Sequence, residues 1–328
     1  MTVIEVTRSF YASIQDLGRD GYRSIGVPVS GVLDRLSAVY ANALVGNCLN
    51  EAVVEAIGGS FSFKVIDGDA VVAVTGARTE VRVDDKVVSA WRPIWVENGS
   101  EVSISSVKDG FIVYVSVSGG FRIKKVMESK STYYRAGFGG LSGRLLRPGD
   151  RLGVGEVNLD GVWDLVAGRT APDKIKNRIP RSDSIVGIRV TRGVNYDLLK
   201  EEFENFLSNV YTVSPESDRM GYRLEGPVLS KAKSLGRLIS IATDRGYIQV
   251  PPSGKPIILM SDAQTTGGYA VVAHVIPSDV DIVAQCAPGY RLRFTEVSID
   301  EAEKSVLEYL FTMNQVRLIE EEVWGELF

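Results

Sequence analysis

A chain of 328 residues with 45% hydrophobic and 24% charged side chains is about twice the length of a common domain, can bury a sizeable core, and is neither wholly disordered nor fibrous. Lys+Arg 37 against Asp+Glu 41 give a formal charge of −4, so there is no basic surplus to hold a phosphate backbone and nucleic acid is not expected as a partner. No run approaches the ~20 apolar residues of a membrane span, the N-terminus lacks a secretory pattern, and Cys48 and Cys286 stand far apart without C-x-x-C, which predicts an unprocessed, soluble protein of the cytoplasm with neither a disulfide framework nor a zinc ribbon.

From Val3 to Leu165 apolar residues come in short runs or alternate with polar ones, as in Val71-Val72-Ala73-Val74-Thr75 and Phe111-Ile112-Val113-Tyr114-Val115-Ser116-Val117. That is strand periodicity. The turn dipeptides Asp67-Gly68, Asn98-Gly99, Asp109-Gly110 and Pro148-Gly149 recur at sheet spacing, so the first half reads as an antiparallel, barrel-like β domain. One helix interrupts it over 34–45, with Leu36, Val39, Tyr40, Ala43 and Leu44 on one face and Gly46 as its stop. The polar, proline-bounded stretch 170–183 reads as a connection between cores. The expected division is an N-terminal β domain over 1–170, a C-terminal β domain over 184–297 and a C-terminal helix over 298–328.

In the second half a helix is predicted over 195–209, with Leu198, Leu199, Phe203, Phe206 and Leu207 as its apolar stripe, and β patterning returns at 185–191, 239–242, 247–250, 257–260 and 291–294. Ser298 and Glu301 form a capping box that starts the last helix, whose apolar face would continue through Val316, Ile319 and Val323. A sparse echo, Gly119-Gly120-Phe121 before Pro148-Gly149 and Gly267-Gly268-Tyr269 before Pro288-Gly289, suggests two related β units.

Several chemistries are excluded. There is no G-x-x-x-x-G-K-[ST] loop, the glycine-rich run 137–143 does not satisfy G-x-G-x-x-G, and the single His274 permits no histidine-rich metal site, so no metal is expected. His274 lies in a strand-like run and reads as a satisfied sheet histidine. Three polar stretches remain. The loop carrying Gln15, Asp16, Arg19 and Arg23 among glycines either approaches a ligand through inward backbone N–H groups or is an Ω-loop leading to a helix cap at Asp34. Gln249, then Asp262, Gln264, Thr265, Thr266, Gly267, Gly268 and Tyr269, flank the apolar strand 257–260, a placement that suits a small-molecule pocket or a structural Asx or Thr turn. Arg219 and Arg223, four apart, would clamp a carboxylate or make surface ion pairs with Glu216 or Asp218.

These segments also carry a resemblance. Ser13 to Arg19, Gly26 to Gly31 with Asp34, Ala41 to Asn47, Ser217 to Pro227, Ile248 to Pro251 and Asp262 to Tyr269 together resemble the biotin-dependent carboxyltransferase family, in the family's order from about Ile4 to Val297. The resemblance implies a mainly β fold of two cyclophilin-like β-barrel domains with a few helices. It further implies a cytoplasmic hydrolase component of an ATP-dependent 5-oxoprolinase that converts 5-oxo-L-proline to L-glutamate, working with a smaller partner of related fold and a separate hydrolytic partner protein. Relatives imply two alternatives: carboxyl transfer from carboxybiotin to urea or another amide, and a regulatory module that binds a kinase inhibitor. No Met-Lys-Met attachment site is present, so biotin would not be carried covalently on this chain. On this reading Asp262, Gln264 and Thr265 are catalytic, with Asp262 moving the proton and residues 265–268 serving a developing oxyanion, while Gln15, Asp16, Arg219, Arg223, Gln249, Thr266, Gly267, Gly268 and Tyr269 bind substrate. Glu128 and Lys130 depart from the family's Gly-Ser-Arg-Ser-Thr-Tyr element, Ala270 replaces its common Pro, and Gly193-Val194-Asn195 replaces a Gly-Pro-Gln/His element.

Overall fold

A computed structural model describes residues 1–327, with side chains as far as Val316. The chain forms two compact units: one of residues 1–19, 30–179 and the chain from 311 onward, the other of residues 20–29 and 180–310. The short segment 20–29 thus leaves the first unit's sequence and clusters with the second.

The first unit is built from two antiparallel sheets. One has six strands in the order Arg151–Gly153, Val3–Arg8, Gly59–Ile66, Glu101–Ser106, Val81–Val83, Lys86–Val88; the other has five, Ala12–Gln15, Val53–Ile57, Asp109–Val117, Ala70–Arg78, Pro93–Val96. Inward residues of both sheets, among them Ile4, Phe61, Phe63, Val102, Val72, Val74 and Val115, form one core. The strand Ala70–Arg78 is buried on both faces: its other face, through Val71 and Ala73, packs on Leu44 and Val45 and on Val162 and Val166 of the helix Leu159–Val166. Two-sided burial explains why this strand reads as a continuous apolar run.

The expected helix forms as Arg35–Leu44, capped by Asp34, whose carboxylate accepts from Ser37 N at 3.1 Å. The helix Leu159–Val166 departs from the strand reading of 3–165, and residues 170–183 are more than a connection: they hold the helix Asp173–Lys176 and bury Ile175 and Ile179. At the Pro148-Gly149 turn, Asp150 receives a two-pronged bond from Arg144, 2.7 Å to each oxygen, and the Arg147 N–H at 2.8 Å. The Arg144 bond above all holds the Asp150 carboxyl below the usual carboxylate range. A lowered folded-state pKa contributes stability above the unfolded value of about 4 and loses it as pH falls through the folded value. Asp150→Asn should therefore flatten the acid limb of the unfolding midpoint plotted against pH.

The second unit closes as a barrel: Ile185–Arg192, Ala270–Val275, Tyr247–Val250, Ile257–Leu259, Gly221–Glu225, Val210–Val213, Arg291–Glu296, and back to Ile185–Arg192. The closing pair is parallel, in register from Ile185↔Arg291 to Val190↔Glu296, whereas every other rung is antiparallel. The mainly β expectation with few helices therefore holds. The helix Tyr196–Ser208 lays Leu199, Phe203 and Phe206 on the barrel, with Phe206 stacked on Phe294 at 4.7 Å, but Leu198, expected in the stripe, is 37% exposed. Of the strand expected at 239–242 only Ile241–Ala242 forms. Pro277–Ala284 is a helix that the sequence pattern does not announce; its Pro stands at the first helical position. The last helix, Ile299–Leu327, begins with the reciprocal capping box: Ser298 N donates to the Glu301 carboxylate at 2.9 Å and Glu301 N to the Ser298 hydroxyl at 3.2 Å. Val316 is buried, and Ile319 and Val323 lie outside the residues whose side chains are described. Among the described residues no helix is long and apolar enough to cross a membrane.

The internal echo survives in one half. Gly149 and Gly289, at φ +89° and +93°, each end a Pro-Gly turn that feeds a strand and donate back to a neighbour, at Val6 O and Val213 O.

Candidate functional site

Two turns zip together at one end of the second unit's barrel. Leu259 pairs with Gly221, and the ladder runs on past the strand ends as Met260 N to Met220 O at 3.0 Å and Asp262 N to Arg219 O at 2.8 Å. This brings the side chains of the same two residues face to face: Arg219 Nε donates to Asp262 Oδ2 at 2.9 Å and Nη2 to Oδ1 at 3.2 Å, with the side chains 2% and 1% exposed. A buried forked pair of this kind fixes the two turns, because each charge makes the other's burial tolerable.

Gln249 sits on the outer face of the barrel, opposite Ile257, and Ile257 in turn stands opposite Arg223. Its Oε1 accepts from Gln264 Nε2 at 3.1 Å, while its Nε2 is buried without a hydrogen-bond partner among the described residues. The close neighbour is Gly267: a Cβ built there would lie 2.5 Å from Gln249 Nε2 and 3.0 Å from the Thr243 methyl. Thr243, not anticipated from the sequence, is 1% exposed; its hydroxyl donates to Gln264 O and its N–H to Thr265 O at 3.1 Å. Arg23, from residues 20–29, donates to Thr243 O and pairs with Asp244 at 3.1 Å. Two stretches far apart in sequence, the glycine-studded loop and the cluster 262–269, thereby meet around Thr243. The available signal was Arg23, a guanidinium in a glycine-studded loop.

The remaining predicted residues are placed as follows. Thr266–Gly267 pairs antiparallel with Ile241–Ala242, and Gly268 O accepts from Leu238 N at 2.7 Å, so the backbone expected to serve an oxyanion is engaged in a small ladder. Tyr269 is 39% exposed. The two-arginine clamp is corrected: Arg219 occupies the buried turn and Arg223 an outward strand position, so the pair does not converge on one anion. Asp262, committed to Arg219, positions that turn. His274 is a sheet histidine, edge-on to Tyr247 at 4.9 Å with Nε2 3.3 Å from Arg245 O; burial lowers its pKa.

Gln15 and Asp16 belong to the first unit. Four donors converge on the Asp16 carboxylate, namely Gly18 N, the Ser129 and Ser131 hydroxyls, and Lys130 N, which makes it the knot of its own loop rather than a group open to substrate. Gln15 Nε2 donates to the Ser13 hydroxyl at 2.9 Å and to Thr132 O at 3.1 Å, leaving its buried Oε1 unpaired among the described residues. The departure at Lys130 has a structural reading: its ammonium turns to Glu51 and to Phe121 O at 2.9 Å. Arg19 donates to Ser131 O and lies over the Phe138 ring at 4.9 Å. The glycine-rich run 137–143 packs against this segment; a Cβ at Gly139, φ +74°, would fall 2.0 Å from Ser131 O. Gly139→Ala should cost the first unit about 2–3 kcal/mol, from left-handed strain plus displaced backbone, read as a shift in the denaturant midpoint. Among the described residues no group of His, Cys, Asp and Glu is arranged to hold a metal ion.

Residues 25–296 match the family described as the carboxyltransferase domain, subdomain A and B. The chain belongs to the carboxyltransferase domain family. Within and around this family, it is 37% identical over 95% of its length to the 5-oxoprolinase C subunit of Haemophilus influenzae, covering 96% of that protein. It is 34% identical over 97% of its length to the 5-oxoprolinase C subunit of Escherichia coli, covering 97% of it. The crystal structure of the Kluyveromyces lactis urea amidolyase superposes with a TM-score of 0.84 at 26% identity over 96% of this chain, which spans 20% of that much longer protein. The carboxyltransferase domain thus occurs both as a chain of this size and as a segment of a larger one.

Proposed function

We propose that this chain is one component of an ATP-dependent 5-oxoprolinase complex, a hydrolase acting on the cyclic amide of 5-oxo-L-proline to give L-glutamate. The supporting observation is the end-to-end match to two 5-oxoprolinase C subunits, each covered to 96% or more. On this reading the chain acts in the cytoplasm, together with a smaller partner of related fold and a hydrolytic partner.

The chemistry asks for a donor to the amide oxygen. A lactam is resonance-stabilised, and ATP supplies a phosphoryl group that converts its oxygen into a leaving group. The buried Nε2 of Gln249, with Gly267 leaving it room, suits a carbonyl oxygen, since a buried N–H gains most from an acceptor when it has no other. Gln264 orients that amide through its bond to Oε1, Thr243 holds the backbone of Gln264 and Thr265, and Arg219 with Asp262 fixes the adjoining turn. Thr266, Gly268 and Tyr269 border this group, and Gln15 is the first unit's candidate.

A second reading, carboxyl transfer to urea or another amide, draws support from the family description and from the urea amidolyase superposition. Biotin delivered by a separate carrier would supply the carboxyl group, and the Gln249 amide suits a ureido carbonyl as well as a lactam carbonyl. The test is glutamate release from 5-oxoproline by this chain mixed with the two partner proteins, with ATP and each protein omitted in turn. Release that requires ATP and this chain supports the first reading. Tight assembly without turnover, and activity only on adding bicarbonate and carboxybiotin, supports the second.

A further inference from the structure

On the same outer face as Gln249, beyond Ile257, the second unit's barrel holds a solvent-open cavity of about 220 Å³ lined by Ser214, Glu216, Arg223, Glu225, Ser253 and Lys255 among others, together with Leu224, Ile257 and two prolines. That volume is about seven waters' worth, the scale of a small metabolite. Its walls are held in place. The turn Pro251 to Pro256 is fixed by Gly254 N to Pro251 O at 2.8 Å, Leu229 N to Gly254 O at 2.9 Å and Leu224 N to Pro256 O at 3.0 Å. A Cβ at Gly254 would lie 2.9 Å from Leu229 O, so the turn sits directly on its neighbour. Opposite, the buried Ser214 hydroxyl donates to Glu225 at 2.9 Å, and Arg223 N donates to the Ser217 hydroxyl at 3.0 Å.

Arg223 and Lys255 line the cavity with no ion-pair partner among the described residues, although Glu216 and Glu225 line the same space. Two cations and two carboxylates that line one cavity without ion pairs between them suit a ligand carrying both signs, for the forked guanidinium matches a carboxylate and the glutamates an ammonium. We propose that this cavity, whose lining does not include Gln249, is a binding site for a small amino-acid zwitterion. Its carboxylate engages Arg223 and Lys255, and its ammonium engages Glu225 and Glu216.

Calorimetric titration of the full chain alone, with L-glutamate as probe and glutarate as the same skeleton lacking the ammonium, tests this without turnover, so its failure leaves the activity reading untouched. The expected result is glutamate binding at least fivefold tighter than glutarate, at least tenfold weakening by Arg223→Met and by Lys255→Met, and loss of the preference for glutamate in Glu225→Gln. Both cations are exposed, so neither substitution threatens folding. Equal affinity for the two probes overturns the zwitterion. Binding that is unchanged by Arg223→Met and Lys255→Met, or absent at about 20 mM, an affinity too weak to act on, overturns the site.

Discussion

Asp262→Ala is expected to lower the stability of the second unit by about 3–5 kcal/mol, the range for removing one partner of a buried ion pair. The Arg219 guanidinium, 2% exposed, would keep its burial and lose the forked bond to Asp262, and the turn-to-turn ladder beside it would lose that clamp. Replacing both partners, Arg219→Met with Asp262→Leu, should recover most of the loss, because two apolar side chains carry no desolvation cost. Urea denaturation midpoints of the three variants decide the matter; a single-variant loss below about 1 kcal/mol would place the pair among surface-type bridges and contradict its burial.

The second large effect is on activity. Gly267→Ala should reduce kcat/KM of the assembled complex for 5-oxoproline at least tenfold, about 1.4 kcal/mol, with little change in stability. The new methyl falls 2.5 Å from Gln249 Nε2, the flexible end of a side chain, so the fold yields by moving the amide and the donor leaves its position. Gln249→Leu should lose activity to a similar extent; it removes the orphaned amide N–H but also the acceptor of Gln264 Nε2, so its stability should change by no more than about 1 kcal/mol. Activity within twofold of the parent in both variants would remove Gln249 from the site.

Local chemistry was legible in the sequence and long-range pairing was not. The Asp34 cap and the Ser298 box each complete their bonds within three residues, so spacing alone announces them. The strands' alternation likewise gave a mainly β chain. The i, i+4 spacing of Arg219 and Arg223 misled, because convergence at that spacing needs a helix and these residues straddle a turn and a strand. Asp16 read as a ligand group because its four donors, except for Gly18, come from residues more than a hundred positions away. The helix Leu159–Val166 hid inside a strand-rich composition, and its burial against the sheet, which no local pattern records, stabilises it.

The parallel seam between Ile185–Arg192 and Arg291–Glu296 sets an order on how the second unit comes into being. Its first and last strands lie side by side, so during synthesis the earliest strand must wait for about a hundred residues before its neighbour exists. Until then it is an open edge with alternating apolar residues, Val186, Ile188 and Val190, able to pair with any other nascent chain. A ribosome stalled short of residue 291 would release a barrel with two such edges and an unsealed core, and protein quality control would see it as an aggregation seed.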